Sequence, residues 1–169
     1  KIAERVSPEQ LTAELDYYFQ AIDTIFSRHG VEKIKTIGDA YLAVAGMPTP
    51  DTDHALHAMQ AAVDILGFIR NEKEKRMASG QMAFDVRIGI HSGRFLTAEI
   101  GTPRRMEHVL LGKDVQQAKL TESNGRNERV NLSQKAYERV ANDLRFEDGN
   151  PGYFLVIDDL SDDKLGEYE

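Results

Sequence analysis

The stretch VEKIKTIGDAYLAVAGMP, residues 31–48, decides the fold, because it describes two short β-strands joined by a tight turn. Val31–Ile37 alternates β-branched residues with charged ones, which is typical of a half-buried strand. Tyr41–Gly46 is small and apolar. Gly38 and Asp39 lie between the two segments, and both residue types tolerate the dihedral angles of a turn. The sequence therefore predicts a β-hairpin whose turn carries a carboxylate.

A helix is predicted on each side of this hairpin. Ser7-Pro8-Glu9-Gln10 is a capping box with proline at the first helical position, and Gly30 ends the first helix. A second helix follows the turn-rich link 48–53 and ends at Ser79-Gly80; its charged segment NEKEKR predicts a solvated face. The apolar positions at helical spacing are Leu11, Leu15, Phe19, Ile22 and Phe26 in the first helix, and Ala55, Met59, Ala62, Leu66 and Ile69 in the second.

The second half of the chain mixes strands with short helices. The predicted elements are strands at 83–91 and 94–100 joined near Ser92-Gly93, a helix at 113–122, a strand at 128–132, a helix at 133–142, and a terminal hairpin turning on 149–152. This order of elements predicts an α+β fold in which helices cover a largely antiparallel sheet.

Composition restricts the classes of function. A chain of 169 residues with 41% hydrophobic and 29% charged residues predicts one globular domain. A net charge of -7 argues against a nucleic-acid partner. There is no cysteine, which excludes disulfides and thiolate metal sites, and no apolar run reaches membrane-spanning length. The expected setting is cytoplasmic, without membrane contact by this domain.

Asp39 admits two interpretations. A Gly-Asp pair is an ordinary turn sequence, so the carboxylate could have only a conformational role. Alternatively, the strand ends could present it to a hard cation such as Mg²⁺, which prefers one or two carboxylates together with phosphate oxygens. Lys35 lies four residues earlier on the same hairpin and could contact a polar ligand or simply extend into solvent.

Other polar positions carry weaker signals. His91 stands at a predicted strand end without a second histidine or glutamate at metal-ligand spacing, so we expect a turn or packing residue. Arg104 and Arg105 could neutralise phosphate, but paired arginines are common in exposed loops. Gln116 and Leu120 are four residues apart and share one face of the predicted short helix.

Three motifs, EKIKTIGDAYLAVAGMP, VRIGIHSG and GTPRRMEHVLLGKDV, together resemble the class III nucleotidyl cyclase catalytic domain. The resemblance extends from the capped first helix to about residue 142. It implies a ferredoxin-like α+β domain that works as a dimer, with nucleotide sites at the subunit interface. It also implies conversion of a nucleoside triphosphate to the cyclic 3′,5′-monophosphate and pyrophosphate. A diguanylate cyclase is not indicated, because the chain lacks a GGDEF loop.

The resemblance also implies roles for five positions of this chain. Asp39 matches one of the family's two metal-binding aspartates, which hold Mg²⁺ or Mn²⁺ in a two-metal mechanism. Lys35 matches the lysine that contacts the base and favours ATP over GTP. Val109 stands at a second base-reading position, Gln116 at the position of a ribose-orienting asparagine, and Leu120 at the position of the transition-state arginine.

The departures from the family pattern leave three interpretations open. The second metal aspartate belongs to a segment expected before Lys1, so residues 1–169 are interpreted as one cyclase domain without its first strand and metal loop. It could be a weak cyclase as a self-dimer, with Lys119 or Arg126 compensating for the lost arginine. It could be the metal-supplying half of a heterodimer. It could also be a degenerate nucleotide-binding or dimerising regulatory module.

Overall fold

The computed structural model describes residues 7–102 and 105–157, and for 105–108 it describes the backbone alone. Two compact units divide the chain, Lys1–Ala61 and Ala62–Glu169. Four helices and eight strands lie in the described ranges, and four of the five strand pairings there are antiparallel. The predicted α+β class, with mostly antiparallel sheet, is confirmed.

The first helix of the first unit, α1, spans Pro8–Arg28 and has the predicted caps. The Ser7 hydroxyl accepts the backbone N–H of Gln10, and the Gln10 side chain accepts the backbone N–H of Ser7, each at 3.2 Å. His29 caps the other end, and Gly30 follows with φ +64°. A left-handed residue at this position lets the chain leave the helix and enter the hairpin directly.

The apolar face of α1 is broader than its spacing predicted. Of the five positions singled out, Ile22 is the fully buried one, and the other four are half-buried. Phe19 and Phe26 pack against the ring of Tyr41 on the hairpin, with centroid distances of 5.7 and 5.3 Å. The buried side chains of α1 are Tyr18, Ile22 and Ile25.

The predicted hairpin is present as β1 (Val31–Ile37) and β2 (Ala40–Ala45), which pair antiparallel as a two-stranded sheet. Its register shifts once, because Lys33 pairs with Ala43 and Lys35 pairs with Leu42. Ile34 is therefore an extra residue in β1, and the strand contains a β-bulge.

The helix α2 spans His54–Ala78, beginning in the first unit and continuing into the second. All five of its predicted apolar positions are buried. Its charged segment is less solvated than predicted: Glu72 is 9% exposed, and Lys73 binds Asp85 at 2.7 Å and also binds Glu128. These contacts attach the end of α2 to two loops of the second unit. No helix in the described ranges is long and apolar enough to cross a membrane.

The second unit contains two sheets. One has the strand order β3-β6-β8-β7, with β3 parallel to β6, and the other is the ribbon β4-β5. Its elements are β3 Ile88–Ile90, β4 Leu96–Thr102, β5 Arg105–Leu111, α3 Lys113–Ser123, β6 Val130–Ser133, α4 Gln134–Val140, β7 Arg145–Asp148 and β8 Tyr153–Ile157.

The strand boundaries correct the sequence prediction in this unit. The strand predicted at 83–91 is found only as β3, Ile88–Ile90, because its pairing with β6 covers just these three residues. The strand predicted at 94–100 pairs with β5, a strand that the sequence prediction missed. Helices at 113–122 and 133–142, and the terminal hairpin, are found with boundaries shifted by up to two residues.

The core of the second unit lies between α4 and the four-stranded sheet. Leu132 and Leu155 from neighbouring strands and Val140 from α4 are each at most 1% exposed. Tyr137 of α4 stacks on Phe154 of β8 with a centroid distance of 3.9 Å. Burial of this apolar surface holds α4 on the sheet.

Candidate active site

Asp39 lies at the tip of the β1–β2 hairpin, as predicted. It forms a two-residue turn with Gly38, whose φ of +64° is a conformation that glycine adopts without strain. The residue is exposed, and in the described parts of the chain its carboxylate has no hydrogen-bond or ion-pair partner. The turn therefore exposes a carboxyl side chain that pairs with no group in the described ranges.

Lys35 lies on β1 of the same hairpin and is half-buried. The bulge at Ile34 places Lys35 in register with Leu42, the residue just before Ala43, which is the partner of Lys33. Adjacent residues of a strand point to opposite faces, so the bulge puts the two lysines on opposite faces of the hairpin.

Lys33 and Tyr41 contact α1 on the helix-facing side of the hairpin. Lys33 Nζ lies 3.2 Å from Asp23 Oδ2 and 4.9 Å from the centre of the Tyr41 ring. The Tyr41 hydroxyl donates to Asp23 Oδ1. Burial, then the Asp23 carboxylate, raises the pKa of the Tyr41 phenol well above its usual range, so it stays protonated. These contacts brace the hairpin that carries Asp39.

The other three predicted site residues lie in the second unit. Val109 is on β5, in register with Ala98 of β4, and is half-buried. Gln116 and Leu120 lie on α3; Gln116 is exposed and Leu120 is 51% exposed. Their four-residue spacing places them on one face of that helix, as predicted. This solvent-facing side of α3 is polar at one position and apolar at the other.

The structure thus groups the predicted residues in two sets. Asp39 and Lys35 share the hairpin of the first unit, whereas Val109, Gln116 and Leu120 lie on β5 and α3 of the second. Arg104 lies outside the described residues, and only the backbone of Arg105 is described, within β5.

His91 is the predicted packing residue, and it has polar partners that the sequence did not indicate. Its side chain is 4% exposed, with Nε2 3.0 Å from Asp114 Oδ1 and Nδ1 2.8 Å from Ser133 Oγ. Asp114 is the second residue of α3 and is 23 residues from His91 in the chain. No local pattern signals a pair so far apart.

A crevice of about 750 Å³ lies at the opposite end of the hairpin from Asp39. It is lined by the end of α1, the start of β1 and the link after β2, including Arg28, Asp51 and His57. His57 Nδ1 lies 2.7 Å from Asp51 Oδ2, so these two groups satisfy each other. The crevice is therefore separate from the hairpin tip.

The Asp39 carboxylate could supply one ligand to a divalent cation that takes its other ligands from phosphate and water. Among the described residues no three histidine, aspartate or glutamate side chains are grouped to hold a metal ion. One free carboxylate is nonetheless a suitable ligand for Mg²⁺ or Mn²⁺, which take their remaining oxygens from phosphate and water. The hairpin tip thus offers one carboxylate to a metal ion whose other ligands come from elsewhere.

The α+β fold described above is that of the nucleotidyl cyclase catalytic domains. Residues 1–155 match the family model described as the adenylate and guanylate cyclase catalytic domain. The chain belongs to this family.

Relatives of both nucleotide types are similar to this chain. It is 31% identical to the membrane guanylyl cyclase of Dictyostelium discoideum over 153 residues, which are 90% of this chain and 10% of that protein. It is 34% identical to the germination-specific adenylate cyclase of the same organism over 143 residues, 83% of this chain and 16% of that protein. The chain therefore spans only a small part of these relatives.

A solved structure is similar over nearly the whole chain. The guanylate cyclase domain of RhGC from Catenaria anguillulae, in complex with GTP, aligns with a TM-score of 0.83 at 29% identity. The alignment covers 92% of this chain and 88% of that one. This similarity extends the family assignment from the motifs to the fold.

Proposed function

We propose that this domain converts a nucleoside triphosphate, with ATP favoured over GTP, to the cyclic 3′,5′-nucleotide and pyrophosphate at a dimer interface. The observation that carries the proposal is the Asp39 carboxylate, which is exposed and without a partner among the described residues, at the tip of a braced hairpin. A carboxylate that bonds no other group in the described chain is available to a ligand.

Asp39 would hold a divalent cation against the triphosphate, as one ligand of a two-metal site. A bound Mg²⁺ or Mn²⁺ supplies charge neutralisation of the phosphates and activation of the ribose 3′-hydroxyl. Lys35 would donate a hydrogen bond to a ring nitrogen of adenine, and the bulge that turns it away from α1 leaves its ammonium group available. Gln116 would accept or donate a hydrogen bond at the ribose.

Dimer formation is supported by an exposed apolar surface on the β4–β5 ribbon. Leu96 is 73% exposed, Ile100 is 56% exposed and Leu111 is 45% exposed. Large apolar side chains grouped on one ribbon are typical of a surface that another chain covers. The ribbon is therefore the part of the second unit that we assign to the subunit interface.

We expect weak activity from a self-dimer, because Leu120 cannot contact a phosphate. Removing one preorganised donor aimed at developing negative charge typically costs about 2.7–4 kcal/mol, or roughly 10²–10³ in rate. Lys119 is exposed on α3 next to Leu120, and Arg126 is exposed just beyond that helix. Either cation could replace part of the lost stabilisation.

A second candidate function rests on the same position. Leu120 is 51% exposed on the face of α3 that carries Gln116, so this chain lacks a cation there while keeping Asp39. That combination favours the metal-supplying half of a heterodimer, whose partner brings the arginine. A nucleotide-binding regulatory module without turnover is the remaining alternative.

The test is a turnover assay with Mn²⁺ and each of ATP, GTP, CTP and UTP, on the protein alone and mixed with a catalytically competent cyclase domain. Asp39→Asn is the decisive variant, because it keeps the turn and removes the charge. We expect it to abolish turnover while the melting temperature stays unchanged, since the Asp39 side chain has no partner in the described chain.

Each outcome selects one interpretation. Turnover by the protein alone supports the self-dimer, and turnover that appears only on mixing supports the heterodimer half. Nucleotide binding without turnover in either case supports the regulatory module. Full activity in Asp39→Asn would refute the metal assignment.

A further inference from the structure

Three segments of the second unit meet at the Asp114 carboxylate. Asp114 lies in the first turn of α3. It accepts hydrogen bonds from His91 Nε2 at 3.0 Å, from the backbone N–H of Arg94 at 2.8 Å and from Lys135 Nζ at 3.2 Å. The donors come from the end of β3, the loop after it and the start of α4. One carboxylate, with its side chain 11% exposed, therefore joins α3 to all three.

His91 extends this network to α4. Its Nδ1 lies 2.8 Å from Ser133 Oγ, and that oxygen accepts the backbone N–H of Ala136 as the cap of α4. Because an ionised carboxylate can only accept, we assign the ring proton to Nε2, which donates to Asp114. The Ser133 hydroxyl then donates to Nδ1. Every polar atom in this chain of bonds has a partner.

The order serine, histidine, aspartate is that of a hydrolase triad, but the surroundings exclude that role. Ser133 is 5% exposed, so a substrate carbonyl cannot reach it. Its oxygen is also committed to capping α4. The network consequently has no available nucleophile, and its effect is to fix the positions of the elements that it joins.

The start of α3 has no side-chain cap at its N-cap position. Its N-cap is Gly112, which offers no capping side chain. The loop after β3 also packs closely against Asp114, because a Cβ added at Gly93 would lie 2.4 Å from the Asp114 carboxyl carbon. The carboxylate and the loop thus define where the first turn of α3 lies.

We propose that His91 and Asp114 are positioning residues that fix the first turn of α3 and thereby set the position of Gln116 against the nucleotide ribose. Gln116 is two residues after Asp114 on the same helix, so displacement of the first turn displaces Gln116 directly. This inference rests on the proposed function, because it requires a nucleotide to contact Gln116. Neither residue touches the reacting atoms.

The other end of α3 provides a matched control. Glu122 Oε1 lies 2.9 Å from Arg87 Nε, with side chains 39% and 42% exposed. Glu122→Gln therefore removes one carboxylate contact of the same helix without touching its first turn. A comparison with Asp114→Asn separates positioning at one end of the helix from a general loss of charge.

Two substitutions of His91 divide its contacts. The side-chain amide of glutamine reaches about the position of Nε2, so His91→Gln retains a donor to Asp114. The amide of asparagine reaches about the position of Nδ1, so His91→Asn retains only the contact with Ser133. If His91 had only a structural role, the two variants would have similar activity. If it positions α3 through Asp114, His91→Gln should keep the activity that His91→Asn loses.

The experiment measures KM and kcat for ATP with Mn²⁺ well below the melting temperature, and hydrogen exchange of the amides at 113–118. We expect Asp114→Asn and His91→Asn to raise KM or lower kcat about tenfold, the size of one lost hydrogen bond to a charged group. They should also accelerate exchange in the first turn of α3. His91→Gln and Glu122→Gln should stay near wild type in both measurements.

Two results would overturn the inference. One is wild-type exchange at 113–118 in Asp114→Asn. The other is a lowered melting temperature in Asp114→Asn and His91→Asn with unchanged KM and kcat, which would make the residues purely structural. Absence of turnover and nucleotide binding in the wild type would instead refute the proposed function, and the exchange measurement does not depend on either.

Discussion

At the scale of single residues, the β-bulge at Ile34 places Lys33 and Lys35 on opposite faces of the hairpin, so that they have different contacts. Lys33 binds Asp23 at 3.2 Å and lies over the Tyr41 ring, so it holds the hairpin to α1. Lys35 is shifted to the other face of the hairpin by the bulge. One lysine thus stabilises the fold, and the other is available to a ligand.

This division predicts opposite effects of two alanine substitutions. Lys35→Ala should weaken ATP binding about tenfold through loss of one hydrogen bond and reduce the preference for ATP over GTP, with an unchanged melting temperature. Lys33→Ala should leave nucleotide binding unchanged and lower stability by about 0–1 kcal/mol, because its ion pair is largely exposed. Nucleotide titrations and thermal melts measure both. A loss of ATP preference in Lys33→Ala would contradict the assignment.

At the scale of elements, the charged carboxylate of Asp114 holds the first turn of α3 in place through its hydrogen bonds. The hydrogen bond from His91, followed by the backbone N–H of Arg94 and the Lys135 ammonium group, holds the pKa of the Asp114 carboxyl well below its usual range. The ionised carboxylate is therefore favoured in the folded protein, and its protonation opposes folding.

The sign of this shift predicts an acid-dependent stability. Because the folded pKa lies below the unfolded value of about 3.9, the contribution of Asp114 is fully present above that value and is lost as the pH falls below it. Denaturant unfolding should show a difference between wild type and Asp114→Asn that is constant from about pH 5 to 7 and shrinks below about pH 4. A difference that grows in acid would contradict the proposed ionisation.

At the scale of the whole molecule, the β4–β5 ribbon carries three of the seven large apolar side chains that are exposed among the described residues. Leu132 and Leu155 are almost fully buried, whereas Leu96 and Ile100 of the ribbon are mostly exposed. Burial of such side chains against a second chain would be favourable by about 25 cal/mol per Å². The ribbon is consequently where self-association should be most sensitive to substitution.

We expect Leu96→Ser and Ile100→Ser each to weaken dimerisation roughly tenfold or more, the effect of losing one buried apolar side chain. The melting temperature of the monomer should not change, because both side chains are exposed within one chain. Sedimentation over a range of protein concentrations measures the dimer, and Met77→Ser, at a 66% exposed position on α2, is the control. Unchanged dimerisation in both ribbon variants would refute the ribbon interface.

The features that the sequence predicted well depend on neighbours in the chain. The capping box at Ser7, the turn at Gly38-Asp39 and the terminal hairpin follow from residue types at fixed short spacings. The ribbon strand β5 was missed, and β3 is shorter than predicted, because pairing with distant strands sets where a ladder begins and ends.

The sequence by itself determined the hairpin, the turn that carries Asp39, and the four helices, because local backbone preferences and hydrophobic periodicity specify these features. Tertiary structure alone decided the face on which Lys35 lies, since a single extra residue in a ladder reverses side-chain direction. It also decided the network around Asp114, whose members His91 and Ser133 are 42 residues apart. Contacts between such distant residues form only when the chain has folded.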